Sequence, residues 1–355
     1  MHLAVLLAGD HPTLPRAELE AVVAVAAPGA RVHTEGLVAV VHADTPALRK
    51  AMDRLAQAMA WGEWWGTASD DEAGLEALAA VVRAHAPGQG AAAVAFERRG
   101  LAKSPNHEAV VRRLGDALRE AGHTIDLRGA QHRVFAWFAD GRVTVGLLQG
   151  TMAHGSFRHR HVDNRDHFHP VSLHPRRAAS LLHLARVPPG GRVYDPFCGT
   201  GGIVLEAALE GHEAWGSDLD AWMVQGTHQT LADIPPEPLE ASVFVADVEE
   251  GCHLVPPVDA IITDMPYGKA STTAGEQVRA LHARSLRAFR ACLRPGGRAV
   301  IGTADATVAE EAVKAGWTVL ERHEEHVHRS LVRHWMVLAR PAPEAPAAPA
   351  GMPHP

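Results

Sequence analysis

Between Arg192 and Arg340, short apolar runs alternate with Ala- and Leu-rich amphipathic runs, and no other feature constrains the chain as tightly. Strand-like runs cover Arg192–Asp195, Ala214–Asp218, Ser242–Asp247, Val258–Asp264 and Arg298–Thr303. Helix-like runs cover Gly202–Glu210, Ala221–Leu231, Gln277–Cys292 and Thr307–Ala315, with an earlier one over Arg176–Ala185. A strand followed by a helix and another strand favours parallel neighbours covered by helices. The pattern therefore predicts a doubly wound α/β domain over residues 176–340. No helix separates the last two strands, Thr318–His323 and Leu331–Arg340, so they should pair antiparallel at the sheet edge.

The first 150 residues read as a separate α+β region. Strands are expected at Leu3–Leu7, Val38–His42, Ala92–Phe96, Arg133–Phe138 and Arg142–Leu148. Helices are expected at Pro15–Ala27, Pro46–Met59, Gly74–His85 and His107–Ala121. The cluster Trp61, Trp64, Trp65 reads as a packing element in preference to a base-stacking platform. Residues 151–175 lack periodicity and read as a linker. Their histidines, at 154, 159, 161, 167, 169 and 174, come without a cysteine pair or an H-x-x-x-H helix, so no metal is expected. The Pro/Ala-rich segment 341–355 reads as a disordered tail.

A net charge of −7 argues at first against a polyanionic partner, but the charge is unevenly spread. Residues 1–97 carry −6, residues 98–165 carry +6 and residues 166–355 carry −7. Screening limits each charge to a reach of about 10 Å, so a local basic block matters more than the total. Arg98, Arg99, Lys103, Arg112, Arg113, Arg158, Arg160 and Arg165 are the candidates for nucleic-acid phosphates. Cys198, Cys252 and Cys292 lie too far apart in sequence for a C-x-x-C pair and suggest a reducing, cytoplasmic setting. The apolar start, Met1–Asp10, reads as a strand and not as a signal peptide, and no run is long enough to span a membrane. A monomer is the expected state.

The chemistry concentrates where strands end. Asp195-Pro-Phe-Cys-Gly-Thr-Gly-Gly202 runs from a strand-closing acid through a glycine turn into a helix. Gly199 and Gly201 let the backbone approach a ligand at the carboxyl end of the sheet. A nicotinamide dinucleotide would want a third glycine where Val204 stands, and a pyrophosphate would repel Asp195. An acid there suits a ligand with a cationic amino-acid end, such as S-adenosyl-L-methionine. Asp218 closes the next strand, where a carboxylate can accept from both ribose hydroxyls, and Asp247 closes the third, where it can accept from an adenine amino group. Phe197 and Thr200, in the same turn, complete the cofactor candidates. Each acid has a competing role as a helix N-cap.

The fourth strand ends in Asp264-Met-Pro-Tyr-Gly268. Here the chain resembles the class I S-adenosylmethionine-dependent methyltransferases of exocyclic amines, whose fourth motif is (D/N/S)-P-P-(Y/F). The fuller resemblance is to the tRNA guanine-N2 methyltransferases of the Trm11 and archaeal guanosine-10 type. It is carried by HPVSLHPRRAASLL (169–182), DPFCGTGGIVLEA (195–207), GSDLD (216–220), TDMPYGKAST (263–272), LRPGGR (293–298) and HRSLVRHWMVL (328–338). The resemblance implies a ferredoxin-like and THUMP RNA-binding half followed by a Rossmann-like methyltransferase domain, with tRNA as partner. Asp264 and the Pro266 carbonyl would accept from the two amino N–H groups, and Tyr267 would stack on the extruded base. Met265 departs from the pattern, since the family has proline there. Guanosine 10 is the favoured target. Guanosine 6, an rRNA guanosine, a DNA adenine or cytosine, and a non-catalytic RNA-binding role are the alternatives.

Overall fold

The computed structural model describes residues 1–99, 107–152, 157, 160, 172–233, 239–266, 277–328 and 331–341. The chain divides into two compact units. The described residues up to 152, with His174–Arg186, belong to the first, and those from Val187 onward belong to the second.

The first unit is built on one mixed sheet. Its opening is β1 (His2–Leu7), α1 (Leu14–Ala26), β2 (Val32–Glu35), β3 (Val38–Val41), α2 (Pro46–Met52) and β4 (Ala58–Ser69). These strands lie in the order β2-β3-β1-β4 with antiparallel neighbours, the ferredoxin-like arrangement. Next come α3 (Glu72–His85), β5 (Gly90–Arg98), α4 (His107–Glu120), β6 (His123–Ile125), β7 (His132–Ala139) and β8 (Arg142–Thr151). They extend the sheet past β4 in the order β8-β7-β5-β6. Leu19, Val22, Leu48 and Met52 from α1 and α2 pack on Leu3, Val5 and Leu7 of β1. Leu78, Val82, Val110 and Leu114 from α3 and α4 cover Val134, Ala136, Val143 and Val145 in the same way.

Two expectations for this unit need revision. The helix expected over 46–59 stops at Met52, and the tryptophan-rich stretch forms β4, the strand that joins the two halves into one sheet. Helix-forming Ala and Met were outweighed there by aromatic side chains on a pleated, half-buried surface. The tryptophans do pack: Trp61 is 4% exposed with Nε1 donating to Asp53, Trp64 Nε1 donates to Thr67, and Trp65 stacks on His85. The second revision concerns α5 (Pro175–Leu184), read as the opening of the second domain but belonging to the first unit. Arg176 donates to the Ala56 carbonyl and to Asp10, and His183 Nδ1 lies 2.7 Å from the buried Glu18 Oε1.

The second unit follows the alternation expected of it. Its elements are β9 (Arg192–Asp195), α6 (Gly202–Leu209), β10 (Glu213–Asp218), α7 (Ala221–Ala232), β11 (Ala241–Val245), α8 (Val248–Leu254) and β12 (Val258–Asp264). After these come α9 (Val278–Cys292), β13 (Leu293–Thr303), α10 (Val308–Lys314), β14 (Thr318–His328) and β15 (Leu331–Ala339). The order is β11-β10-β9-β12-β13-β15-β14. The first five strands are parallel, and β15 enters antiparallel between β13 and its hairpin partner β14. Strand order reverses between β9 and β12, which opens a crevice at their carboxyl ends.

Candidate active site

Asp195 closes β9 and is 2% exposed. Its Oδ1 accepts from the Phe197 N–H at 3.1 Å and from the Thr263 hydroxyl at 2.6 Å. Burial pushes its pKa up to about 7, and the nearby carboxylates of Asp218 and Asp264 push the same way. A buried acid so poorly compensated is a seat for a cation. The turn beyond it uses left-handed backbone at Gly199 (φ 52°) and Gly201 (φ 82°). A Cβ on Gly199 would project into open space, whereas one on Gly201 would strike the Thr227 side chain 2.5 Å away. The turn thus presents bare backbone on one side and packs on the other.

Asp218, at the end of β10, accepts from the Gly199 N–H through Oδ2 and from the Asp220 N–H through Oδ1, each at 3.0 Å. Burial raises its pKa. Neither Asp195 nor Asp218 caps a helix: Gly201 precedes α6, and Asp220 caps α7 by accepting from the Trp222 N–H. The third acid differs. Asp247 caps α8, accepting from Glu249, and both its oxygens are held by Arg284 at 2.6 and 3.0 Å. Arg284 holds its carboxyl below the usual carboxylate range. Thr200 is buried with its hydroxyl 2.8 Å from that of Ser172, and Phe197 packs half-buried against the core.

Thr263 links this cradle to β12, where Asp264 is the next residue. Asp264 Oδ2 lies 3.4 Å from Arg333 Nη2, and the Arg333 guanidinium sits over the Trp335 ring. Gly302 of β13 is opposite Asp264, and a Cβ there would run into both Asp264 Oδ1 and the Trp335 ring. Met265 is fully buried in the core, and its N–H donates to the Gly302 carbonyl at 2.9 Å. A proline could not make that bond, so β12 gains one rung where the family motif carries a rigid ring. The Pro266 carbonyl accepts from His282 Nε2 at 2.9 Å. Tyr267 lies outside the described residues.

Among the phosphate candidates, Lys103, Arg158 and Arg165 also lie outside the described residues. Arg98 is exposed at the end of β5. Arg99 pairs with Glu97, Arg113 pairs with Glu76 on α3, and Arg160 lies over the Phe157 ring. Part of the basic block is therefore matched by acids, Glu97 two residues away in sequence and Glu76 distant in sequence but near in space. Among the described residues no cluster of His, Cys, Asp or Glu is gathered as for a metal, and no helix is long and apolar enough to cross a membrane. Sequence reading missed Thr263, His282, Arg284 and Arg333. Of these, Thr263 and Arg333 fell within segments singled out beforehand, 263–272 and 328–338.

A doubly wound sheet with an antiparallel hairpin at its edge, an acid-closed glycine turn at the strand-order reversal and a D-x-P turn on the fourth strand define a class I S-adenosylmethionine-dependent methyltransferase. The UPF0020 family, an RMKL-like methyltransferase domain, matches residues 162–334. The tRNA (guanine(10)-N2)-dimethyltransferase of Methanothermobacter thermautotrophicus is 30% identical over 342 residues, covering 96% of this chain and 100% of that protein. The chain belongs to this family of tRNA guanine-N2 methyltransferases. The corresponding enzyme of Pyrococcus abyssi is 31% identical over 182 residues, 51% of this chain and 54% of that protein. Among solved structures, TrmN from Thermus thermophilus aligns over 96% of this chain and 100% of its own, with a TM-score of 0.56 and 24% identity. SMU.472, a putative methyltransferase complexed with SAH, aligns over 97% and 98% with a TM-score of 0.54 and 14% identity.

Proposed function

We propose that this chain methylates the exocyclic N2 of guanosine 10 in tRNA. The observation that carries the reading is the 30% identity over 96% of its length to a named tRNA (guanine(10)-N2)-dimethyltransferase. The D-x-P turn beside the acid-lined glycine turn supports it. S-adenosyl-L-methionine, when bound, supplies an electrophilic methyl group on a sulfonium. Asp195 and the bare backbone at Gly199 suit its amino-acid end, and Asp218 suits its ribose. Asp247 can still accept from the adenine, although its oxygens already hold Arg284.

An exocyclic amine is a weak nucleophile, because its lone pair is delocalised into the ring. Asp264 and the Pro266 carbonyl accept from its two N–H groups and turn the nitrogen toward the methyl group. After transfer the nitrogen carries one proton too many, which Asp264 receives directly or through water. Tyr267 stacks on the base, which must leave its helix to reach the pocket. The first unit, with a ferredoxin-like and a THUMP-like half, holds the tRNA through Arg98, Arg99 and Arg160, and the basic residues Lys103, Arg158 and Arg165 add to the phosphate contacts. We place the enzyme in the cytoplasm, acting as a monomer.

The test uses labelled S-adenosylmethionine with a tRNA transcript, the same transcript carrying adenosine at position 10, and duplex DNA. Nucleoside mass spectrometry should find N2-methylated guanosine at position 10, with label lost on the altered transcript. Label retained there points to guanosine 6 or another site, and label entering only DNA removes the reading. Affinity for tRNA should fall about tenfold or more between 50 and 200 mM salt, since phosphate contacts release counterions. A flat dependence removes the arginines from the interface.

A further inference from the structure

We infer that His282 is a positioning residue for methyl transfer, holding the Pro266 carbonyl at the angle at which that oxygen meets the amino group of the target base. The inference rests on the role given above to Asp264 and Pro266. Proline has no N–H, so the carbonyl is its only handle for a hydrogen bond. His282 Nε2 takes that handle from α9 at 2.9 Å. One residue earlier, the Met265 N–H is tied to Gly302. The two bonds bracket the peptide between Met265 and Pro266 and leave the carbonyl plane little freedom.

The imidazole is 1% exposed. Burial lowers its pKa, so the ring is neutral at pH 7. Pro266 O can only accept, which puts the proton on Nε2 and fixes the tautomer. A carbonyl oxygen has two acceptor positions. His282 occupies one, and the other stays available to the base. Packing alone does not call for histidine here: among the described residues Nδ1 finds no hydrogen-bond partner, and an apolar side chain would avoid that burden. The residue makes chemical sense through the one bond it does make.

The experiment compares wild type with His282→Phe, which fills the volume without a donor, and His282→Gln, whose amide NH2 reaches a similar position. Binding of S-adenosylmethionine by calorimetry and thermal melting run beside steady-state methylation of tRNA. His282→Phe should lower kcat about 10- to 100-fold, with cofactor affinity and tRNA KM within threefold of wild type. His282→Gln should recover kcat to within about threefold. A phenylalanine variant with wild-type kcat overturns the inference, as does a glutamine variant as slow as phenylalanine while it still binds cofactor. If phenylalanine prevents folding, the glutamine variant decides alone by the same kcat criterion. Failure of wild type itself to methylate tRNA would overturn the proposed function instead, so the two outcomes separate.

Discussion

Two buried acids, one in each unit, teach how a site differs from a scaffold. Glu18 on α1 is fully buried, and its carboxylate accepts from the Ala56 and Gln57 N–H groups with His183 2.7 Å away. Both of its oxygens are engaged by groups of the protein. Asp195 is nearly as deep, yet it has one backbone N–H and one hydroxyl, and two further acids lie close by. Burial alone marks neither residue as functional. The difference lies in what surrounds the charge: satisfied in the first unit, left incomplete in the second.

Substitutions can break this comparison at several levels. The largest effect is expected at Asp264: Asp264→Ala should reduce kcat about 10²- to 10⁴-fold, with S-adenosylmethionine affinity retained in calorimetry. Survival of tRNA methylation would show that Asp264 is not catalytic. Glu18→Ala should destabilise the protein by about 3–5 kcal/mol without altering cofactor affinity, as read by chemical denaturation. Asp195→Asn should do the reverse. It should weaken cofactor binding at least tenfold and raise the melting temperature at pH 8.

The sign for Asp195 follows from its pKa. A carboxyl raised to about 7 in the native state holds its proton more tightly than in the unfolded chain. Its contribution to stability is therefore full below about pH 4 and is lost as pH climbs to 7, at about 1.4 kcal/mol per pH unit. The asparagine variant should accordingly lead wild type at pH 8 and lose that lead near pH 4. A cationic ligand favours the ionised form, so affinity for S-adenosylmethionine should fall by up to about tenfold per pH unit below 7. A pH-independent affinity would mean that Asp195 does not face the cationic end. The smallest effect is expected at Asp247→Ala: about 1 kcal/mol from the lost cap and no more than a threefold change in cofactor affinity. A larger loss of affinity would return Asp247 to the adenine-binding role read from sequence.

The candidate site was legible wherever its residues are neighbours in sequence. Asp195, Gly199, Gly201 and Asp218 stand at strand ends that periodicity alone locates, and the strands fall there. Residues supplied from a distance were not legible. His282 reaches Pro266 from 16 positions further along the chain, Arg284 takes Asp247 from another helix, and Arg333 arrives at Asp264 from the last strand. The same limit affected the charge count. Arg113 belongs to the basic block in sequence but meets Glu76 in space, and α5 follows a linker yet packs with α1. Local pattern locates backbone, while long-range packing decides which charges remain to be used.

Met265 carries a consequence for how such an enzyme can change. A chain with proline at this position has a stiff ring and no rung to Gly302, whereas this chain has the rung and a thioether sunk among Leu281, Phe289 and Met336. Replacing Met265 by proline would delete the bond and empty part of the core in one step, before any neighbour had adjusted. The two versions of the motif are separate local solutions, and a single substitution from one to the other passes through a protein that has the benefits of neither. Grafting the more common motif onto this scaffold would therefore require Met265 to change together with the side chains that enclose it.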